Sequence, residues 1–157
     1  MTVEASANSA WRSWTTLRGV RRFFAPDARL EMKPGGPYEI LFDLDAPPGS
    51  QGSEGCKVLS FIPNRMLSFT WNAPPQFLRS RKQLAQWVVI FLDSAGSKRT
   101  RVSLMELGFK EGKEGEEVYG YFDRAWDLVL RRLAYSFDHG PIDWKHPWPQ
   151  DASASTA

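Results

Sequence analysis

The sequence predicts an α+β domain in which an antiparallel sheet is covered by one long helix. The chain has 157 residues and is 42% apolar, which suits one domain with one core. A run of about six strand-like segments is linked by short turns, and short links favour antiparallel pairing. The longest helical pattern follows the last strand, and a long amphipathic helix must lay its apolar stripe on a sheet.

A short strand and two short helices come first. Residues 2–5 form the predicted strand, and Ser6 and Asn8 are candidate N-caps of a helix over about residues 9–15. A second helix is predicted over residues 17–24, because its apolar residues recur at helical spacing.

Charge patterning gives no case for a nucleic-acid or membrane partner. The formal net charge is only +2, and acidic and basic residues are interspersed along the chain. One exception is the segment from Arg12 to Arg22, which holds four arginines and no acid. We interpret this segment as a solvated helix face, and the alternative is an anion-binding patch.

Two strands follow the helices, and a glycine pair separates them. Residues 28–32 alternate weakly, and residues 37–42 place three large apolar side chains on one face. The pair Gly35–Gly36 opens a strand rather than a helix, and no Gly-Lys-Ser/Thr sequence follows it. We therefore interpret the pair as a turn that admits positive φ, not as a phosphate-binding loop.

The later strands include one that is apolar on both faces. Strands are predicted over residues 56–62, 65–71, 85–93 and 99–107. The strand around Trp87 has apolar residues on both faces, which predicts that both of its sides are covered. We expect either the tail residues Trp144 and Trp148 or a second copy of the chain to cover its outer face.

The C-terminal helix is predicted from about Glu116 to Phe137. Its apolar residues recur at three- and four-residue steps and are Val118, Phe122, Trp126, Val129, Leu130, Leu133 and Phe137. Some 20 residues of helix span about 30 Å, which is enough to cross a whole sheet. We assign residues 1–137 to a single domain and residues 138–157 to a Pro- and Trp-containing tail, whose last residues we expect to be disordered.

Cysteine and histidine are scarce, which limits the chemistry available. Cys56 is the only cysteine, and both histidines, His139 and His146, lie near the C-terminal end. The body of the chain therefore lacks the ligands of a Cys/His metal site, and we predict neither a metal nor a cofactor. No apolar run is long enough to span a membrane and no secretory signal pattern opens the chain, so we expect a cytoplasmic protein.

Short motifs occur along the chain in the order typical of one family. They are residues 10–15 (AWRSWT), the pair Phe23–Phe24, residues 34–38 (PGGPY), residues 63–71 (PNRMLSFTW) and residues 100–109 (TRVSLMELGF). In this order they resemble proteins related to the activator of Hsp90 ATPase, within the START-like or SRPBCC superfamily. The resemblance covers about residues 3–137, and the chain departs from it at Glu106, where many relatives have histidine.

The resemblance implies a helix-grip (START/Bet v 1-like) fold. In that fold a curved antiparallel sheet wraps around the long C-terminal helix, and two short helices follow the first strand. In the superfamily a cavity between sheet and helix holds apolar ligands such as lipids, sterols or polyketides. The implied ligand-binding residues are Phe23, Phe42, Phe69, Trp71, Glu106, Tyr119, Phe122 and Trp126. The alternative is that the aromatic residues among them simply fill the core.

Glu106 is the charge of most interest, because strand alternation places it with Val102 and Leu104 on the apolar side. An unpaired carboxyl group there has a raised pKa and can serve as a polar anchor or a general acid. We favour the interpretation that Glu106 lies at the end of the strand, in water or beside Arg79 or Arg81.

These observations predict a protein that binds a small apolar molecule, lipid-like or aromatic, without catalysis. One alternative is an enzyme of the polyketide cyclase or dehydratase type, which needs acid–base groups inside the cavity. Another is a stress-related co-chaperone of an Hsp90-type ATPase, which follows from the family name. A homodimer is a further predicted assembly, and the sequence assigns no catalytic residue.

Overall fold

The structure is a computed structural model and describes residues 1–83 and 86–149. Its strands and helices follow the predicted order, apart from one additional helix, α3. The elements are β1 Thr2–Val3, α1 Ala7–Thr15, α2 Leu17–Phe23, β2 Asp27–Leu30, β3 Tyr38–Leu41, β4 Val58–Ile62, β5 Met66–Trp71, α3 Leu78–Gln83, β6 Gln86–Ser94, β7 Thr100–Leu107 and α4 Lys113–His139.

Five strands form one antiparallel sheet in the order β1-β7-β6-β5-β4, and β2 and β3 form a separate hairpin. A bridge between Pro37 and Lys57 joins the hairpin to the chain that leads into β4. The curved sheet encloses α4 on its inner face, and α1 and α2 follow the first strand. The predicted helix-grip fold is therefore confirmed.

The long helix α4 crosses the sheet with one buried stripe. Its buried apolar residues are Val118, Phe122, Trp126, Val129 and Leu133. Leu130 and Phe137, which the periodicity also assigned to the stripe, are partly buried against the same core. Full burial of a large apolar side chain contributes about 1.5–3 kcal/mol, so this stripe fixes the helix on the sheet.

The glycine pair makes the turn between β2 and β3. Gly35 has φ of +79°, and its N–H donates to the carbonyl oxygen of Val58 at 2.8 Å. A Cβ on Gly36 would lie 2.3 Å from the carbonyl oxygen of Glu31, which leaves no room for a side chain. The pair is thus required by the turn, as the sequence predicted.

Tyr38 links the hairpin to α1 and to the sheet. Its hydroxyl donates to the carbonyl oxygen of Trp14 at 2.8 Å, and its ring stacks on Phe69 with centroids 4.1 Å apart. Complete burial raises the pKa of Tyr38, so the phenol keeps the proton that it donates. The hairpin therefore closes over the core rather than standing free in solvent.

The two faces of β6 differ, because only the inner face is covered within the described chain. Val88, Ile90 and Leu92 are buried on the inner face. Trp87 and Phe91 point outward and are each 38% exposed. The sheet is covered by α4 on one side only within the described chain.

The tail packs against helices and not over β6. The indole N–H of Trp144 donates to the carbonyl oxygen of Arg21 at 2.7 Å. Trp148 stacks on Tyr135 of α4 with ring centroids 4.4 Å apart, and Ile142 is buried beside α2. The expectation that Trp144 and Trp148 cover the outer face of β6 is therefore wrong.

The predicted disorder of the last residues concerns positions 150–157, which lie outside the described residues.

Candidate functional site

A cleft of about 480 Å³ opens between α4, the end of β5 and the loops beside them. Its wall is largely aromatic, and we call it the aromatic cleft. The apolar lining residues are Phe24, Phe42, Trp71, Pro74, Pro75, Tyr121, Phe122, Ala125, Trp126, Leu128 and Val129. The polar lining residues are Asp43, Ser50, Gln51, Gly52, Asn72, Gln76, Arg81 and Arg132.

Three elements bring the aromatic wall together. The strand β5 ends at Trp71 on the inner face of the sheet, and Pro74–Pro75 direct the chain away from it. Phe24 is the C-cap of α2. Phe122 and Trp126 are four residues apart on α4, so both side chains face the sheet from one side of the helix.

The rings of the wall hold one another in place. Trp71 and Trp126 have ring centroids 5.2 Å apart, and Phe24 stacks on Trp71 at 5.9 Å. Phe42 contacts Trp71 edge to face at 6.4 Å and is 46% exposed at the mouth of the cleft. Such aromatic pairs contribute about 0.5–1.5 kcal/mol beyond burial, so the wall is preformed and offers flat apolar surfaces.

One polar atom of the wall lacks a partner. The indole Nε1–H of Trp71 is buried and has no acceptor among the described residues. A buried donor without a partner costs about 1–3 kcal/mol. Because this nitrogen has almost no accessible surface, it is not part of the surface that the cleft offers to a ligand.

The rim of the cleft is fixed by Arg81 of α3. Its guanidinium donates to the carbonyl oxygens of Ala73 at 2.8 Å, Gly49 at 2.6 Å and Gly52 at 3.0 Å. It also lies 3.6 Å from the carboxylate of Glu54. Arg81 therefore ties the loop before β4 to the loop after β5, which are the two loops that frame the opening.

Glu54 completes this frame from the other loop. Its carboxylate accepts backbone N–H groups from Gly49 at 2.8 Å, Gln51 at 2.9 Å and Gly52 at 2.8 Å. Burial acts to raise the pKa of Glu54, but these backbone hydrogen bonds outweigh it and lower the pKa. The carboxylate stays ionised and keeps its ion pair with Arg81.

Glu106 lies behind the cleft and is not part of its lining. The indole Nε1–H of Trp126 donates to its Oε2 at 2.5 Å, whereas Oε1 is buried without a partner among the described residues. Burial raises the pKa of Glu106 to about 8, although the bond from Trp126 opposes the rise. The inward placement predicted from strand alternation is confirmed. Glu106 is the second-last residue of β7, as the favoured interpretation expected. Its carboxyl group, however, is neither in water nor beside Arg79 or Arg81, because Oε2 bonds Trp126, Oε1 is buried and Arg81 pairs with Glu54.

The structure separates the eight residues implied by the family resemblance into two groups. Phe42, Trp71, Phe122 and Trp126 line the aromatic cleft, and their role in ligand binding stays a prediction. The other four do not line it. Phe23 and Phe69 are fully buried in the core, Glu106 lies behind Trp126, and Tyr119 is 57% exposed beside Phe109.

Sequence reasoning missed several lining residues for identifiable reasons. Phe24 was part of a recognised aromatic pair, but only its partner Phe23 was assigned to the wall. Tyr121 was overlooked in favour of Tyr119, although it directly precedes Phe122 on the helix. Arg81 belongs to α3, whose segment LRSRKQ has no buried residue and therefore no apolar periodicity to reveal it.

None of the helices within residues 1–83 and 86–149 combines the length and apolarity that crossing a membrane requires. The same residues contain no group of three or more His, Cys, Asp or Glu side chains arranged to hold a metal ion.

The sequence matches one protein family over most of its length. The match is to the family described as activator of Hsp90 ATPase homolog 1-like protein, and it spans residues 4–138. No curated protein is matched by this sequence.

Solved structures share the fold at low sequence identity. Protein MLL2253 from Mesorhizobium loti is similar with a TM-score of 0.67 and 20% identity, over 90% of this chain and 97% of that chain. The Aha1 dimer from Colwellia psychrerythraea has a TM-score of 0.66 and 15% identity, over 89% of this chain and 93% of that chain. DynU16, from the dynemicin biosynthetic locus, has a TM-score of 0.64 and 20% identity, over 90% of this chain and 46% of that chain.

Proposed function

The chain belongs to the family of activator of Hsp90 ATPase homolog 1-like proteins, and on this premise we propose that it binds a small apolar molecule in the aromatic cleft. The observation that carries the proposal is the preformed aromatic wall around a space of about 480 Å³. Ligand sites typically measure about 300–1,000 Å³ and combine an apolar lining with a few polar groups. The ligand is lipid-like or aromatic, and binding does not alter it chemically.

The lining supports one orientation of the ligand. The rings of Trp71, Phe122 and Trp126 take its apolar body. Polar atoms of the ligand face polar lining residues such as Asn72 and Gln51.

Binding of the apolar fluorescent probe N-phenyl-1-naphthylamine tests this proposal. Ala125 lines the cleft, so Ala125→Trp should fill it and weaken probe binding at least about tenfold while the circular dichroism spectrum is retained. The control is Tyr119→Ala, because Tyr119 lies on the same helix outside the cleft. Equal probe affinity in the wild type and in Ala125→Trp would contradict the proposal.

Catalysis of the cyclase or dehydratase type is the alternative, and it needs an acid or base at the bound molecule. DynU16 comes from a biosynthetic locus, which keeps this alternative open for testing. The proposed acid Glu106 is separated from the cleft by Trp126, and Tyr119 lies outside it, so the binding role is better supported. Turnover of a polyketide substrate that is lost in Glu106→Gln would favour the enzyme.

A chaperone partner is suggested by the family name alone. Its test is the ATPase rate of an Hsp90-type chaperone with and without this protein. An unchanged rate would dismiss the co-chaperone alternative.

A cytoplasmic location and a domain boundary at residue 137 stay predictions.

We also propose a homodimer formed through the outer face of the sheet. Apolar side chains on β6 and β7 are exposed there, including Trp87, Phe91 and Met105, and Met105 is 50% exposed. Val89 pairs with Met105 across the two strands, so these side chains form one continuous patch. The tail packs elsewhere, and the similar Colwellia protein is a dimer, which supports a second copy as the cover.

A further inference from the structure

A second concave surface lies where α1, α2 and the C-terminal end of α4 meet. It measures about 930 Å³ and shares no lining residue with the aromatic cleft. We call it the arginine cleft, since all four arginines of the segment from Arg12 to Arg22 line it. Its lining residues are Asn8, Ser9, Arg12, Ser13, Thr16, Leu17, Arg18, Gly19, Arg21, Arg22, Phe137 and Pro141.

A close helix contact brings these arginines together. A Cβ on Gly19 of α2 would lie 2.0 Å from the carbonyl oxygen of Arg12 and 2.6 Å from the Cα of Ser13. The backbones of α1 and α2 therefore touch, which only glycine permits. Thr16 joins the helices, since its hydroxyl donates to the Arg12 carbonyl oxygen at 2.8 Å and accepts the Gly19 N–H at 3.0 Å.

The positive charge in this cleft is mostly unneutralised. Arg21 pairs with Asp27 at 2.8 Å. Arg12 and Arg18 are exposed, and their side chains have no ion pair or hydrogen bond among the described residues. No carboxylate is among the lining residues. A concave surface with one sign of charge concentrates anions, whereas the interspersed charges elsewhere on the chain do not.

Arg22 supplies a fixed positive charge at the back of the cleft. Its guanidinium donates to the carbonyl oxygen of Ser136 near the end of α4 and lies over the ring of Phe137, 5.5 Å from the centroid. No carboxylate pairs with it among the described residues. Phe137, Pro141 and the 40% exposed Leu17 add apolar surface beside the charges.

We propose that the arginine cleft binds a phosphorylated small organic molecule of about the size of a nucleoside diphosphate. Guanidinium groups bind phosphate oxygens through paired, charge-assisted hydrogen bonds, and Arg12 and Arg18 are available for this. The organic part contacts Leu17, Phe137 and Pro141. The near-neutral whole chain, with a net charge of only +2, favours a small anion over a nucleic acid. The anion-binding alternative for this segment is thus favoured over a solvated helix face.

Isothermal titration calorimetry of the full chain with ADP tests the proposal. The double variant Arg12→Gln, Arg18→Gln should bind ADP at least about tenfold more weakly, because two charge-assisted contacts are lost. The matched control is Arg101→Gln, Arg124→Gln, which removes the same charge from exposed positions outside the cleft and should stay within about twofold of the wild type.

Two further probes separate the parts of the ligand. Adenosine should give no saturable heat, and inorganic pyrophosphate should bind more weakly than ADP, because it lacks the organic part. Three results would overturn the proposal. These are no saturable heat with ADP, an equal loss of affinity in both double variants, and pyrophosphate binding as tight as that of ADP.

Discussion

At the scale of single residues, Glu106 is a carboxyl group in a buried position, where its charged form is unfavourable. Its carboxyl group lies on the inner face of β7, where Trp126 satisfies one oxygen and nothing among the described residues satisfies the other. Strand alternation predicted the inward placement, because the side-chain period of a strand is two residues. It could not predict the partner, since Trp126 approaches from a helix 20 residues further along the chain.

The pKa of Glu106 predicts a pH-dependent stability. An unfolded glutamate releases its proton near pH 4.5, whereas the folded protein holds it up to about pH 8. Between these values the folded state binds more protons, so the free energy of unfolding falls as the pH rises. Each unit of pKa difference corresponds to about 1.4 kcal/mol.

Thermal melts from pH 5 to pH 9 measure this effect. Glu106→Gln keeps an acceptor for Trp126 but cannot ionise, so its melting temperature should fall less over this range than that of the wild type. Glu117→Gln, at an exposed position on α4, should keep the wild-type slope. Parallel slopes for the wild type and Glu106→Gln would contradict the burial of this carboxyl group.

At the scale of elements, the sequence predicted best where one pattern decides the structure. The apolar stripe of α4 and the glycine turn before β3 were both found, because periodicity and backbone sterics act locally. The apolar outer face of β6 was recognised but its cover was not, because alternation cannot tell whether a face is covered within the chain or by another molecule. Only four of the 19 residues that line the aromatic cleft were assigned from the sequence, and Arg81 and Pro74 were missed because they come from segments without periodicity.

The contact between α1 and α2 gives a paired test of element packing. Gly19→Ala should destabilise the protein by about 2 kcal/mol or more, because its Cβ would overlap the backbone of α1. Gly120→Ala is the control within α4, where a Cβ would meet only an Arg124 nitrogen at 3.8 Å. There the better helix propensity of alanine should add about 0.5–1 kcal/mol. Urea denaturation measures both, and equal effects of the two variants would refute the close contact.

At the scale of the whole molecule, the sheet has α4 on one face and exposed apolar side chains on the other. The inner face of the sheet therefore forms the core and part of the aromatic cleft, and the outer face forms the interface of the proposed homodimer. Trp87 and Phe91 lie at the centre of the exposed face, opposite β7 residues Leu107 and Ser103 in the strand register. A lysine placed there would oppose association, because a charge buried without a partner is costly.

Light scattering after gel filtration tests the dimer. Phe91→Lys should shift the mass from that of two chains to that of one chain of 17.9 kDa. Tyr119→Lys makes the same charge change on exposed α4 and should leave the dimer intact. A wild-type protein that is monomeric at all concentrations would rule out this interface.

The central claim is that the aromatic cleft holds a small apolar molecule, and native mass spectrometry of gently purified protein tests it most directly. The account predicts an added mass of one small organic molecule on the wild-type chain. It also predicts that Ala125→Trp lacks this mass while Tyr119→Ala retains it. An adduct that persists unchanged in Ala125→Trp would place the ligand elsewhere and contradict the claim.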